Sequence, residues 1–279
     1  PEMSRGLGDV YKRQPMKEYD KYLKLLKEKY PTKQSVYREL INLNAIMNLP
    51  KGTEHFMSDL HGEYDAFYHI INNCSGVIRE KVAMLYGDEL TVYEQQELCT
   101  LIYYPREKLS ILMDENKVND EWYRNVLNQL IQIAKLLSSK YTRSKVRKAM
   151  PVDFAYIIDE LIHAQKDEDD NRSVYHRQIM ETILSLHNGD EFLVALTDLI
   201  KRLAVDHLHI LGDIYDRGAH ADKILDLLME HHSVDIQWGN HDILWMGAFC
   251  GNPVCMALVV RNNIKYKTMS ILENGYGIS

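Results

Sequence analysis

Apolar positions at the start of the chain recur at helical spacing. In the segment MKEYDKYLKLLKEKY (16–30), Leu23, Leu26 and Tyr30 fall on one face, which predicts an amphipathic helix. Pro31 and Thr32 interrupt it, and a second helix is expected to run to about Met47, ended by Pro50 and Gly52. HFMSDL (55–60) predicts a short strand with a polar end. From Tyr64 to about Leu203 the period is helical throughout. Tyr123, Leu127, Leu130, Ile131, Ala134 and Leu137 recur at that spacing, as do Phe154, Ile157, Ile158, Leu161 and Ile162. The run KDEDDNR (166–172) is expected to be a solvated loop between helices, and His163 and His187 read as structural. At Asp206 the period changes. DHLHILGD (206–213) and DIQWGN (235–240) predict strands, and residues 221–229 predict a helix with Ile224, Leu225 and Leu228 inward. A strand, a helix and a strand in that order should make parallel neighbours with a right-handed crossover. The expected class is α/β, with a βαβ core.

Composition narrows the picture. The 279 residues carry 33 Lys+Arg against 40 Asp+Glu, a net charge of −7, with 46% hydrophobic and 26% charged residues. This is ordinary for a globular protein and excludes a disordered chain. No stretch approaches the roughly 20 apolar residues of a membrane span. The acidic balance argues against nucleic acid as partner. Cys74, Cys99, Cys250 and Cys255 are too few for a disulfide framework and lack a second pair for zinc, so they read as small buried hydrophobes. No signal peptide is visible, which makes the cytoplasm the default compartment.

Each predicted strand ends in a polar cluster: Ser58-Asp59-Leu60-His61-Gly62, then Gly212-Asp213-Ile214-Tyr215-Asp216-Arg217-Gly218, then Gly239-Asn240-His241-Asp242. Ligands of α/β sheets bind beyond the carboxyl ends of strands, so three distant clusters can converge there. The residue types fit a two-metal hydrolase. Carboxylates are hard oxygen ligands, His suits Mn, Fe or Zn, and an Asn carbonyl adds a neutral oxygen. Two ions about 3.5–4 Å apart can activate water and clamp a phosphoryl oxygen. An Arg can take phosphate oxygens bidentately, and a His oriented by a carboxylate can protonate a leaving alkoxide.

These motif blocks, 54–65 and 206–247, resemble the calcineurin-like metallophosphoesterase superfamily. The resemblance implies that Asp59 and His61 bind one metal, Asp213 bridges two, and Asn240 binds the second. His241 would be the general acid held by Asp216, Arg217 would grip phosphate, and Asp242 would support the loop. The long helical stretch between His61 and Asp213 and the segment QWGNHD separate the chain from protein phosphatases. With the leading segment YLKLLKEKYPTKQSVYRELINLNAIMNLPKGTEHFMSDLHGEYDAF and DHLHILGDIYDRG, the chain is similar to the bacterial, Firmicutes-type class III fructose-1,6-bisphosphatases; Ala219 departs from the Pro usual there.

That resemblance implies a phosphoric monoester hydrolase of gluconeogenesis. It would release the 1-phosphate of fructose 1,6-bisphosphate by a hydroxide activated between two metal ions, usually manganese. A sugar bisphosphate would be the partner, and a homo-oligomer stays open. Another phosphoesterase, for protein or nucleotide, and a non-catalytic regulatory protein that keeps partial motifs are the alternatives. A basic cluster of Arg143, Lys145, Arg147 and Lys148 is a candidate second phosphate subsite, against the plainer reading of an exposed helix face.

The expected organisation is a non-native leader over residues 1–15 with a native start at Met16, then N-terminal helices over 16–53. A metallophosphoesterase-like core over 54–65 and 206–279 would enclose an all-α insertion over 66–205. The superfamily's second metal takes two further His from later strands, and none follows His241. Family members are longer, and the end NGYGIS reads as a Gly-rich loop. The expectation is therefore an incomplete chain with weak or absent activity by itself.

Overall fold

The computed structural model describes residues 19–164 and 170–278. The leader expected over 1–15 and the start expected at Met16 lie outside them. The chain divides into two units, Pro1–Pro50 and Lys51–Ser279.

In the first unit, residues 19–29 form helix α1 and Lys33–Met47 form α2. Thr32 explains why the chain re-enters a helix directly after Pro31. Its hydroxyl accepts from the Ser35 N–H, and the Ser35 hydroxyl accepts from the Thr32 N–H, both at 3.1 Å. Two otherwise orphaned donors are thereby satisfied.

The second unit holds a parallel sheet of β1 (Glu54–Met57), β2 (His207–Ile210) and β3 (Val234–Ile236) in the order β1-β2-β3. Between β1 and β2 run α3 (Tyr64–Asn73), α4 (Val77–Tyr86), α5 (Val92–Tyr103), α6 (Pro105–Asp114), α7 (Asp120–Ser138), α8 (Arg143–Ala149), α9 (Ala155–Ile162), α10 (Asp170–Ser185) and α11 (Gly189–Ala204). Helix α12 (Ala221–Glu230) joins β2 to β3, as the strand–helix–strand pattern predicts. Helices α13 (Asn240–Phe249) and α14 (Pro253–Tyr266) follow, then a wide helical turn at Ile271–Gly275. Among the described residues no helix is long and apolar enough to cross a membrane.

Two apolar cores follow from the two periodicities. One is helical: Ile78, Ile102, Leu127, Leu130, Ile158, Phe192 and Leu196 are all fully buried within it. On α7, Leu127, Leu130, Ile131, Ala134 and Leu137 form the stripe that its spacing predicts. The other core lies on one face of the sheet, where Leu208 and Ile210 meet Ile224 and Leu228 of α12 and Phe67 of α3. Helix α3 thus packs on the sheet although it begins the stretch read as insertion.

Several expectations need correction. The strands are shorter than their apolar patterns. β1 stops at Met57 and β2 at Ile210, because Asp59, His61, Gly212 and Asp213 take left-handed backbone that breaks the ladder. β3 stops at Ile236, although the Gln237 N–H still reaches the Ile210 carbonyl at 2.8 Å. Of the loop expected over 166–172, residues 166–169 lie outside the described residues and 170–172 open α10. A polar run marks a solvated position, which a helix start satisfies as well as a loop does. Asn274 and Gly275 belong to the last helical turn rather than to a loop. Cys74 and Cys99 are buried, but Cys250 is exposed at the end of α13.

Candidate metal centre at the strand ends

The loops after β1 and β2 run side by side. The Asp59 N–H donates to the Gly212 carbonyl at 3.1 Å, His61 to Asp213 at 2.8 Å and Gly62 to Ile214 at 2.8 Å. The pairing needs close backbone approach. A Cβ on Gly62 would lie 2.5 Å from the Gly218 carbonyl oxygen, so only glycine fits. Asp59, His61, Asp213, Asp216 and Arg217 all have positive φ, between 46° and 76°. Each such residue costs on the order of 1 kcal/mol or more and persists only where its surroundings hold it.

Asp242 does much of that holding. From the first turn of α13 its carboxylate accepts the N–H groups of Asp213 (2.7 Å), Ile214 (2.9 Å), Tyr215 (3.2 Å) and Gly239 (2.7 Å). One buried anion thus ties the loop after β2 to the loop after β3. All four contacts go to backbone amides, the loop-supporting part expected of it.

On this frame, ligand atoms of Asp59, His61 and Asp213 come within 4.8 Å of one another. His61 Nε2 lies 3.5 Å from Asp59 Oδ1, close to the roughly 3.0–3.5 Å between two ligands of one ion with bonds near 2.1 Å. His61 is 5% exposed. Its Nδ1 lies 3.1 Å from the Tyr215 carbonyl, which can only accept, so this nitrogen carries the proton. That leaves the Nε2 lone pair facing the carboxylates, buried and without a hydrogen-bond partner. An orphaned imidazole nitrogen beside two carboxylates fits a divalent cation. Asp213 Oδ1 accepts the His241 N–H at 3.1 Å, which fixes its carboxylate.

His241 forms a second group next to the first. Its Nδ1 lies 2.7 Å from Asp216 Oδ2, and its ring meets the His61 ring edge-on at 5.4 Å. The Asp216 side chain is fully buried. It is satisfied further by Trp245 Nε1 at 3.1 Å and Asn262 Nδ2 at 2.8 Å. A buried carboxylate with three donors is rigid, and it sets the His241 tautomer so that Nε2 is free. Trp245 and Asn262 were not singled out from the sequence. Trp245 follows His241 by one helical turn, a spacing that could have flagged it. Asn262, on α14, left no local signal.

Beside this pair, Tyr215 stacks on Trp245 at 4.4 Å and shares a 2.7 Å hydrogen bond with the Tyr276 hydroxyl. Burial first, then that bond, push the Tyr215 hydroxyl far above its usual range, so it stays protonated. Arg217 is exposed in the same loop and engages no described residue. Asn240 is exposed as the first residue of α13.

The basic cluster on α8 lies elsewhere. Lys145 pairs with Asp206 at 2.5 Å, Arg147 approaches Asp159 at 3.8 Å, and Arg143 donates to His163 Nε2 at 3.2 Å. Asp206 precedes β2, whereas Asp213 follows it, so Lys145 sits at the opposite end of the strand from the metal centre. These contacts are those of an exposed helix face.

A parallel sheet with carboxylates and an imidazole gathered at its strand ends defines an α/β protein with a group of side chains that could hold a metal ion. The family model for the Firmicute fructose-1,6-bisphosphatase matches residues 21–279, and the chain belongs to that family. Relatives named fructose-1,6-bisphosphatase class 3 are 54% identical over 274 residues in Clostridium beijerinckii, 54% over 265 in Listeria monocytogenes and 52% over 268 in Clostridium acetobutylicum. These matches cover 95%, 95% and 96% of this chain, but only 41%, 40% and 40% of the relatives. The chain thus spans about two fifths of the length of the curated relatives it matches. No solved structure matches it.

Proposed function

We propose that this chain carries the metal and general-acid groups of a phosphatase that converts fructose 1,6-bisphosphate to fructose 6-phosphate and phosphate, the gluconeogenic reaction. The reading is supported above all by the His241–Asp216 pair standing beside the Asp59–His61–Asp213 cluster. A general acid next to a cation site suits phosphoester hydrolysis, and a protein that only binds has no use for it. The substrate comes from the names of the relatives. The catalytic core is proposed to be of the metallophosphoesterase kind.

Divalent ions held here, with Mn2+ the proposed species, would supply an activated water nucleophile and neutralise phosphoryl charge. Asp59, His61 and Asp213 would hold a first ion, and Asp213 with Asn240 would contribute to holding a second. Asp216 keeps the His241 ring oriented with Nδ1 as donor. His241 Nε2, after taking up a proton from solvent, would give it to the leaving C1 alkoxide, and loss of that group would cost about 100- to 10,000-fold in rate. Arg217 would take two phosphoryl oxygens.

The test measures phosphate release with Mn2+ from fructose 1,6-bisphosphate, fructose 6-phosphate and p-nitrophenyl phosphate. It is run on the 279-residue chain and, for comparison, on a full-length relative such as that of Listeria monocytogenes. Release from the bisphosphate alone, leaving fructose 6-phosphate, is the expected result. Equal release from all three would replace this substrate with a general phosphoester.

A further inference from the structure

We infer that His207, His209 and Asp235 form a second divalent-metal site, on the open face of the sheet and separate from the centre at the strand ends. Alternate residues of a strand share a face, so His207 and His209 stand side by side on β2, their rings 4.4 Å apart. Parallel register places Asp235 of β3 beside His209. Asp235 Oδ2 lies 2.9 Å from His207 Nε2 and 3.4 Å from His209 Nδ1. Ligand atoms of the three residues fall within 4.8 Å of one another. A tetrahedral ion with bonds of 2.0–2.1 Å needs ligand atoms about 3.3 Å apart, which these distances bracket.

The surroundings favour a cation over a simple polar cluster. His207 Nδ1 is engaged by the Ser233 hydroxyl at 2.6 Å, which leaves Nε2 to face the carboxylate. That Nε2 is buried and makes no hydrogen bond. Phe56 of β1 stacks on His209 at 4.4 Å and fixes its ring plane. Glu54 Oε2 lies 3.9 Å from His209 Nε2, placed to orient the ring through the nitrogen that the ion leaves free. Two imidazoles and one carboxylate suit Zn2+, Co2+ or Ni2+ rather than Mg2+ or Ca2+, with water in the fourth position. The ion would clip β2 to β3. The group shares no residue with Asp59, His61 and Asp213, which stand beyond the ends of β1 and β2.

The experiment is Zn2+ binding by equilibrium dialysis and metal analysis on the 279-residue chain, with circular dichroism to confirm folding. The Asp59→Asn, Asp213→Asn double variant should retain one tightly bound Zn2+. Adding Asp235→Asn and His209→Gln should weaken that binding at least 10-fold. Histidine side-chain 15N shifts of the unaltered chain during Zn2+ addition decide the question if a variant does not fold. His207 and His209 should both shift. A folded double variant that binds no Zn2+, or His207 and His209 resonances that stay put while His61 moves, would overturn the site.

Discussion

His241 meets Asp213 of the proposed metal centre through its backbone and Asp216, its partner in the proposed general-acid pair, through its ring, and these two contacts separate what a substitution can do. The N–H that binds Asp213 survives in His241→Ala, while the Nδ1 contact to Asp216 does not. His241→Ala is therefore expected to lower kcat of the active protein about 100- to 10,000-fold. Metal content should stay near normal by elemental analysis. His61→Ala removes the orphaned Nε2 and should do the reverse, weakening metal binding at least 10-fold in the chain itself. Loss of metal in His241→Ala would make that side chain a ligand and sink the role proposed for it. At this scale the sequence was readable where chemistry needs a rare residue in a fixed place. Asp59, His61, Asp213, Asp216 and His241 sit in motifs, and the structure brings them together. The pair His207 and His209 was read only as strand alternation, because its third member, Asp235, is reached through the register of β3.

At the scale of elements, the site depends on two turns that must lie against each other. A Cβ on Gly239 would overlap Asp213 Oδ1 and the Asp213 N, both parts of the centre. Gly239→Ala should therefore cost both metal affinity and stability, roughly 2 kcal/mol or more. Gly251, unlike Gly239, has positive φ, at 84°, and nothing lies within 4 Å of its would-be Cβ. Gly251→Ala should cost only about 1 kcal/mol and leave metal binding unchanged. Asp242→Ala would strand four backbone donors. Hydrogen bonds to a charged acceptor contribute about 1.5–3 kcal/mol each, and the loss should reach several kcal/mol on denaturant titration. A drop below about 1 kcal/mol would mean that solvent replaces the carboxylate easily. The helices were legible because long periodic stripes such as that of α7 leave little choice. Strand ends were not, since left-handed turns at Asp59 and Asp213 are set by partners far along the chain.

Across the whole of the second unit, the helical core and the sheet core meet around a polar cavity that is lined by His55, Lys201, Arg202, Glu230, His231 and His232, with Cys74 and Asp198. Burial first, then the neighbouring His232, His207 and His55, lower the His231 pKa to about 4, only partly offset by its bond to the Ser233 carbonyl. Burial also lowers His232 and His55, with Arg202 adding to the effect on His232. A base whose folded pKa lies below its unfolded value takes up its proton more readily in the unfolded chain. Above about pH 6.5 both states are neutral and the ring costs nothing. As pH falls from 6.5 toward 4, protonation pulls the equilibrium toward unfolding, so stability present near neutrality is lost. The partly solvated edge of His231 tempers its share to about 1–2 kcal/mol. Carboxylates titrate in the same window, so the comparison must be made against a variant. His231→Gln keeps a polar group of similar reach and removes the titration. Between pH 7 and 4.5 its melting temperature should fall roughly 3–6 °C less than that of the unaltered chain. Parallel curves for the two proteins would show that His231 takes up its proton alike in the folded and unfolded chain, and that acid sensitivity arises elsewhere in the fold.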